Sequence, residues 1–174
     1  MENQNLQGKS MKNRILNQSC RWMTLAAILA LGISAGASLA EVTLLVPFWK
    51  TLNANDFFSW YQDNQERLVA FYSPLQIWSA VLALLALVIH GLARNRGKWM
   101  MLISTLFALG VLATFFMFFK EANGALAAGP MPESELAVAL EVWGNWQWIR
   151  IALGSLAFAF AVLAFPTARL SSSE

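Results

Sequence analysis

The chain has 174 residues, of which 57 % are hydrophobic and only 13 % are charged, a composition that excludes an ordinary soluble domain and makes lipid the main solvent. Twelve basic and ten acidic residues give a net charge of +2, so there is no electrostatic reason to expect a nucleic-acid partner. A single cysteine, Cys20, excludes an internal disulfide, and a single histidine, His90, argues against a multi-histidine metal site, so we expect no metal and no other cofactor.

Residues 1–21 form a polar leader with the basic residues Lys9, Lys12, Arg14 and Arg21. This composition predicts a disordered segment that stays in the cytoplasm. Cys20, at the end of the leader, has a position that suits S-acylation at a membrane surface, but an unmodified thiol near the interface is the favoured interpretation.

Residues 22–46 are apolar except for Glu41, and Pro47 follows them. At about 1.5 Å per residue, a helix of this length exceeds the roughly 30 Å of membrane hydrocarbon. The small residues before Glu41 also fit a signal-peptidase site. We favour an uncleaved transmembrane helix because the hydrophobicity continues beyond that point.

Residues 47–72 mix aromatic and charged side chains, which predicts an amphipathic, aromatic segment along the external membrane surface, with a short helix capped by Asn55 or Asp56. Three further apolar runs predict transmembrane helices at residues 75–93, 99–119 and 144–165. A basic turn joins the first two of these runs. An acidic loop with its own short helix joins the last two.

The leader, the basic turn and the short tail (residues 167–174) hold eight of the twelve Lys and Arg residues, and four lie elsewhere. By the positive-inside rule, both termini are then cytoplasmic. We therefore predict an all-α fold, an antiparallel bundle of four transmembrane helices within residues 22–166. In a bacterium this bundle would lie in the inner membrane.

Charged groups within hydrocarbon cost about 2.5–3.5 kcal/mol on insertion scales, so each needs a partner or a role. Glu41 near the end of the first helix and Arg150 near the start of the fourth are expected at similar depth, where they form an ion pair. Trp143, Gln147 and Arg150 share one stripe of the fourth helix, with Trp146 beside it.

These positions predict a pocket near the external face that binds a small apolar molecule with a polar tip, with Glu41 as a catalytic base. The alternative is a purely structural ion pair beneath an ordinary interfacial belt of tryptophans. His90 is expected to be structural and to lie outside the pocket. The expected binding residues are Trp49, Lys120, Glu121, Asn123, Trp143, Trp146, Gln147 and Arg150.

Three short motifs resemble those of the anthrone-oxygenase-like family of small four-helix membrane proteins: Val46-Pro47-Phe48-Trp49, Tyr72-Ser73-Pro74 and Trp143-Gly144-Asn145-Trp146-Gln147-Trp148-Ile149-Arg150. The resemblance implies oxidation of anthrone-type polyketides to quinones without metal or flavin. The family often has histidine at the position of Gln147, and glutamine cannot act as a general base.

Two other classes of function compete with an enzyme or small-molecule binder. A non-catalytic subunit of a larger membrane complex, or a homo-oligomer, is indicated by the closely spaced Gly32 and Gly36, which suit helix association. A transporter or channel is least favoured, because the sequence shows no inverted repeat and no file of polar residues across the membrane.

The topology predicts which side of the membrane each connection faces. In a Cys20→Ser background, Ser134→Cys should react with an impermeant thiol reagent added outside, and Asn95→Cys should not, because the Lys and Arg bias keeps the basic turn inside. The opposite labelling pattern would overturn the orientation. A mature N-terminus at Glu41 would establish the signal-peptide alternative.

Overall fold

A computed structural model describes residues 2–165, and this part of the chain is helical throughout, without strands. The helices are α1 (Glu2–Ala40), a π-helical turn (Glu41–Leu45), α2 (Val46–Trp49), α3 (Ala54–Leu92), α4 (Lys98–Thr114), a second π-helical turn (Phe115–Phe119), α5 (Lys120–Ala127) and α6 (Glu133–Ala164). They form four continuous helices that are long and apolar enough to cross a membrane, here called the first to fourth spans: Arg14–Trp49, Ala54–Leu92, Lys98–Ala127 and Glu133–Ala164. The chain is therefore a multi-pass membrane protein.

The first helix differs from its prediction at both ends. It begins at Glu2, so the leader predicted to be disordered is helical. Helix extension from an existing helix needs no new nucleus, and no proline interrupts the leader. At the other end the helix continues beyond residue 46 through a π turn to Trp49. Pro166 and the tail, residues 167–174, lie outside the described residues.

The aromatic segment after the first span is also more helical than predicted. Only residues 50–53 form the connection, and the helix is capped by Asn53, whose side chain accepts a hydrogen bond from the backbone N–H of Asp56, rather than by Asn55 or Asp56. Helix α3 then runs without a break through Pro74. A proline removes only one backbone donor, and the α-helix continues on both sides of it.

The acidic connection between the third and fourth spans is shorter than predicted. Helix α5 reaches Ala127, and α6 begins at Glu133 directly after Pro132. Gly129 lies between them with a φ of +122°, a conformation that favours glycine. The charged residues that suggested a loop therefore extend the two helices beyond the apolar runs.

The interior of the bundle is formed mainly by small residues. Buried alanines from all four spans meet there, and such residues allow helices to approach closely. Ser104 Oγ donates to the Ala157 carbonyl at 2.7 Å and so links the third and fourth spans. Thr105 Oγ1 donates to the Met101 carbonyl of its own helix at 2.8 Å and lies 3.2 Å from the Ala83 carbonyl of the second span. Because the bond from Ser104 satisfies polar groups between helices, it helps to fix their relative positions.

A polar cluster links the first and second spans near the start of the first span. Thr24 Oγ1 lies 2.7 Å from the Cys20 carbonyl and 2.9 Å from His90 Nε2. Gly97 adjoins the imidazole, and a Cβ there would lie 2.6 Å from the Ala164 carbonyl oxygen. Cys20 itself is 0 % exposed, so the structure corrects the S-acylation hypothesis, which requires an accessible thiol.

Candidate functional site

Two of the four spans depart from regular α-helical geometry, and a third contains a proline. In the first span, Pro47 has no N–H to donate, and its ring crowds the carbonyl four residues earlier. The helix widens there into the turn Glu41–Leu45, where the N–H of Val46 bonds to the Glu41 carbonyl, five residues back. In the third span the turn Phe115–Phe119 repeats this pattern, with the N–H of Lys120 bonded to the Phe115 carbonyl. The second span contains Pro74.

These irregularities surround one cavity. Glu41 and Phe115, the first residues of the two π turns, line it, as does Ser73, which precedes Pro74. In a bilayer, irregular backbone is tolerated only where it is buried in protein or lines a cavity. Single π turns are also frequent at functional sites. The backbone therefore marks this cavity as the candidate site.

The cavity has a volume of about 190 Å³. All four spans contribute to its wall, which combines aromatic, aliphatic and hydrogen-bonding side chains. Three of its residues have acidic or basic side chains: Glu41, Lys120 and Arg150. The lining residues are Glu41, Trp49, Tyr61, Gln65, Leu68, Val69, Tyr72, Ser73, Gln76, Phe115, Lys120, Asn123, Trp143 and Arg150.

Glu41 is held by the fourth span. Its side chain is 6 % exposed, and one carboxylate oxygen accepts a hydrogen bond of 2.5 Å from Gln147 Nε2. The same amide nitrogen lies 3.4 Å from the Ser38 carbonyl. Gln147 is fully buried, so this amide links two positions of the first span to one of the fourth and sets the register between them.

Arg150 has different partners from those predicted. Its Nε donates to Thr114 Oγ1 at 3.3 Å, and its guanidinium carbon lies 3.6 Å from the ring centre of Phe119. Both contacts are to the third span, and the second is a cation–π contact. Glu41 and Arg150 line the same cavity, but the expected direct pairing is replaced by separate hydrogen bonds to Gln147 and Thr114.

An aromatic cluster forms one end of the cavity around Trp49. The Trp49 ring makes edge-to-face contacts with its neighbours, with ring centres 5.4 Å away at Trp143 and 6.2 Å at Tyr61. Trp143 Nε1 donates to Asn123 Oδ1 at 3.0 Å. Trp49 Nε1 has no hydrogen-bond partner, although the residue is only 1 % exposed. A buried indole N–H normally has an acceptor, so this donor is unusual.

The structure brings together six of the nine predicted site residues, namely Glu41, Trp49, Lys120, Asn123, Trp143 and Arg150. Gln147 lies behind the wall, bonded to Glu41. Trp146 stacks on Phe118, with ring centres 5.0 Å apart, and is not a lining residue. Glu121 is exposed and outside the cavity.

The sequence analysis missed the contribution of the second span. Tyr61, Gln65, Tyr72 and Gln76 lie on one face of α3, at intervals of four, seven and four residues. This helical periodicity is visible in the sequence. It was overlooked because the segment was interpreted as lying along the membrane surface, where its polar residues would face water.

Within residues 2–165, no group of three or more His, Cys, Asp or Glu side chains is arranged to hold a metal ion. Comparison of the chain with protein-family models, with curated proteins and with solved structures finds no match. The candidate site is therefore defined by its own geometry.

The bond between Glu41 and Gln147 predicts energetic coupling. In a double-mutant cycle of Glu41→Met and Gln147→Met, the free energy of unfolding in detergent should show a favourable coupling of about 1 kcal/mol or more, because either single change leaves a buried polar group without its partner. A control cycle of Glu41→Met with Gln62→Met, an exposed residue of α3, should be additive. Additive effects in both cycles would show that the contact contributes nothing.

Proposed function

We propose that this protein binds a small, mainly apolar molecule with a polar end in the cavity between its four spans. The observation that carries the proposal is that the first residues of two π turns and the residue before Pro74 line one cavity that contains buried charged side chains. Each feature costs stability in a membrane helix. Local departures of this kind are expected where a site has been built at the expense of stability.

The size of the cavity limits what it holds. Its volume of about 190 Å³ is below the roughly 300–1,000 Å³ that is usual for drug-sized ligands. It therefore accommodates one end of an elongated molecule or a single ring system. Val69 and Phe115 line the cavity and are 58 % and 37 % exposed, so the remainder of the ligand has an apolar route towards the bilayer.

We place this cavity near the external face of an antiparallel bundle with both termini in the cytoplasm, in the inner membrane of a bacterium. The Lys and Arg bias supports the orientation. The contact between Thr24, early in the first span, and His90, late in the second, supports opposite directions for these two helices.

A catalytic role is the narrower form of the proposal. Glu41 is the one carboxylate among the lining residues and the natural proton acceptor for a bound ligand. The resemblance to the anthrone-oxygenase-like family favours such chemistry. The position that is often histidine in that family is here Gln147, which donates to Glu41 and cannot itself accept a proton. Binding is therefore the better supported function, with oxygenation as its extension.

Filling the cavity tests the proposal. Val69→Trp places an indole at the opening, whereas Val88→Trp makes the same change at a similarly exposed position of α3 that does not line the cavity. After purification in mild detergent and organic extraction, mass spectrometry should detect a compound in the wild type and the Val88→Trp control, and at least about tenfold less in Val69→Trp, a loss of 1.4 kcal/mol or more.

Two outcomes would contradict binding in this cavity. The same compound could be recovered equally from both variants, or the wild type could release nothing except bulk lipid. Recovery of a stoichiometric protein partner in place of a small molecule would favour an accessory subunit of a membrane complex.

A further inference from the structure

The cavity contains hydrogen-bond donors that have no acceptor in the protein. Trp49 Nε1 is buried and lacks an acceptor. Only the Nε of Arg150 bonds to Thr114, whose hydroxyl hydrogen already goes to the Val111 carbonyl at 2.7 Å. Guanidinium has five N–H groups, so the two Nη nitrogens remain to serve another acceptor.

Two of the acceptors on the same wall are already engaged. Asn123 Oδ1 accepts from Trp143, and one oxygen of Glu41 accepts from Gln147. Gln147 Oε1 lacks a partner, but Gln147 is not a lining residue. A ligand that brings oxygen acceptors therefore gives partners to donors that the protein leaves unpaired.

The charges point to the same conclusion. Lys120 and Arg150 carry two positive charges on the lining, and Glu41 supplies a single carboxylate. A ligand with one negative charge would neutralise the net positive charge of these three side chains. A cationic ligand would add to the excess positive charge, and charges interact strongly where water is scarce.

We infer that the cavity selects a lipophilic molecule whose buried end is a negatively charged oxygen group, of the carboxylate or phosphate class. Arg150 and Lys120 bind the charged oxygens, Trp49 Nε1 donates to the same group, and the apolar part leaves past Val69 and Phe115. This inference rests on the proposed function and specifies the chemistry of the ligand.

The test uses three photoreactive probes that share one long alkyl chain and differ only at the end, which is a carboxylate, an alcohol or a primary amine. The full chain is reconstituted in nanodiscs of zwitterionic lipid, and cross-linked peptides are identified by mass spectrometry. Labelling of residues 61–76 by the carboxylate should exceed that by the other two about tenfold, the effect expected for charge-assisted hydrogen bonds.

Single substitutions test which side chains cause the preference for the carboxylate probe. Lys120→Met, at an exposed lining residue, should reduce the preference for the carboxylate several-fold without affecting folding, and Trp49→Phe should do the same by removing the unpaired N–H. Arg150→Met should abolish the preference, and Arg150→Lys should retain part of it. Lys98→Met removes an exposed positive charge outside the cavity and should leave the preference unchanged.

Competition separates the sources of the charged group. Displacement of the carboxylate probe by an unlabelled fatty acid points to a free lipophilic acid, and displacement by added phosphatidylglycerol points to a lipid headgroup; either supports the inference. Equal labelling of the cavity by all three probes would overturn the charge selectivity and leave ligand binding intact. Labelling confined to residues outside the cavity would overturn both proposals.

Discussion

A carboxyl group enclosed by apolar helices needs a hydrogen-bond donor, and Glu41 obtains one from the amide of Gln147. This bond fixes the first span against the fourth at one level. This register directs Arg150, three residues further along the fourth span, towards the third span. There it donates a hydrogen bond to Thr114 and makes a cation–π contact with Phe119. The positions of the charged groups around the cavity follow from that single register.

The backbone around the cavity obeys a second constraint. Lipid offers no hydrogen bonds, so a wide turn or a proline in a spanning helix must face protein or a cavity. Here Glu41 and Phe115, which begin the two π turns, and Ser73, which precedes Pro74, line the same space. The space is small, aromatic at one end and contains an unpaired indole N–H. These properties favour recognition of one polar end of an apolar molecule over passage of ions.

The four spans were predictable because hydrocarbon thickness requires about 20 apolar residues, and each apolar run was close to that length or longer. The ends of the helices were not predictable from the apolar runs. Charged residues such as Glu66 and Arg67 extend α3 beyond its apolar run, and their composition resembles that of a surface segment. The hydrogen bond between Glu41 and Gln147 was also not predicted, because Arg150 was expected to be the partner of Glu41. Spacing predicts which residues share a face, but a π turn adds a residue to the helix and changes the directions of the side chains that follow.

An experimental structure of the full chain in lipid nanodiscs tests the central claim most directly, which is that irregular helices enclose a ligand cavity. The account predicts π turns at Glu41–Leu45 and Phe115–Phe119, and non-protein density within hydrogen-bonding distance of Trp49 Nε1 and Arg150. Regular α-helices through both segments, with the side chains of Trp49 and Arg150 closing the space between the spans, would contradict it.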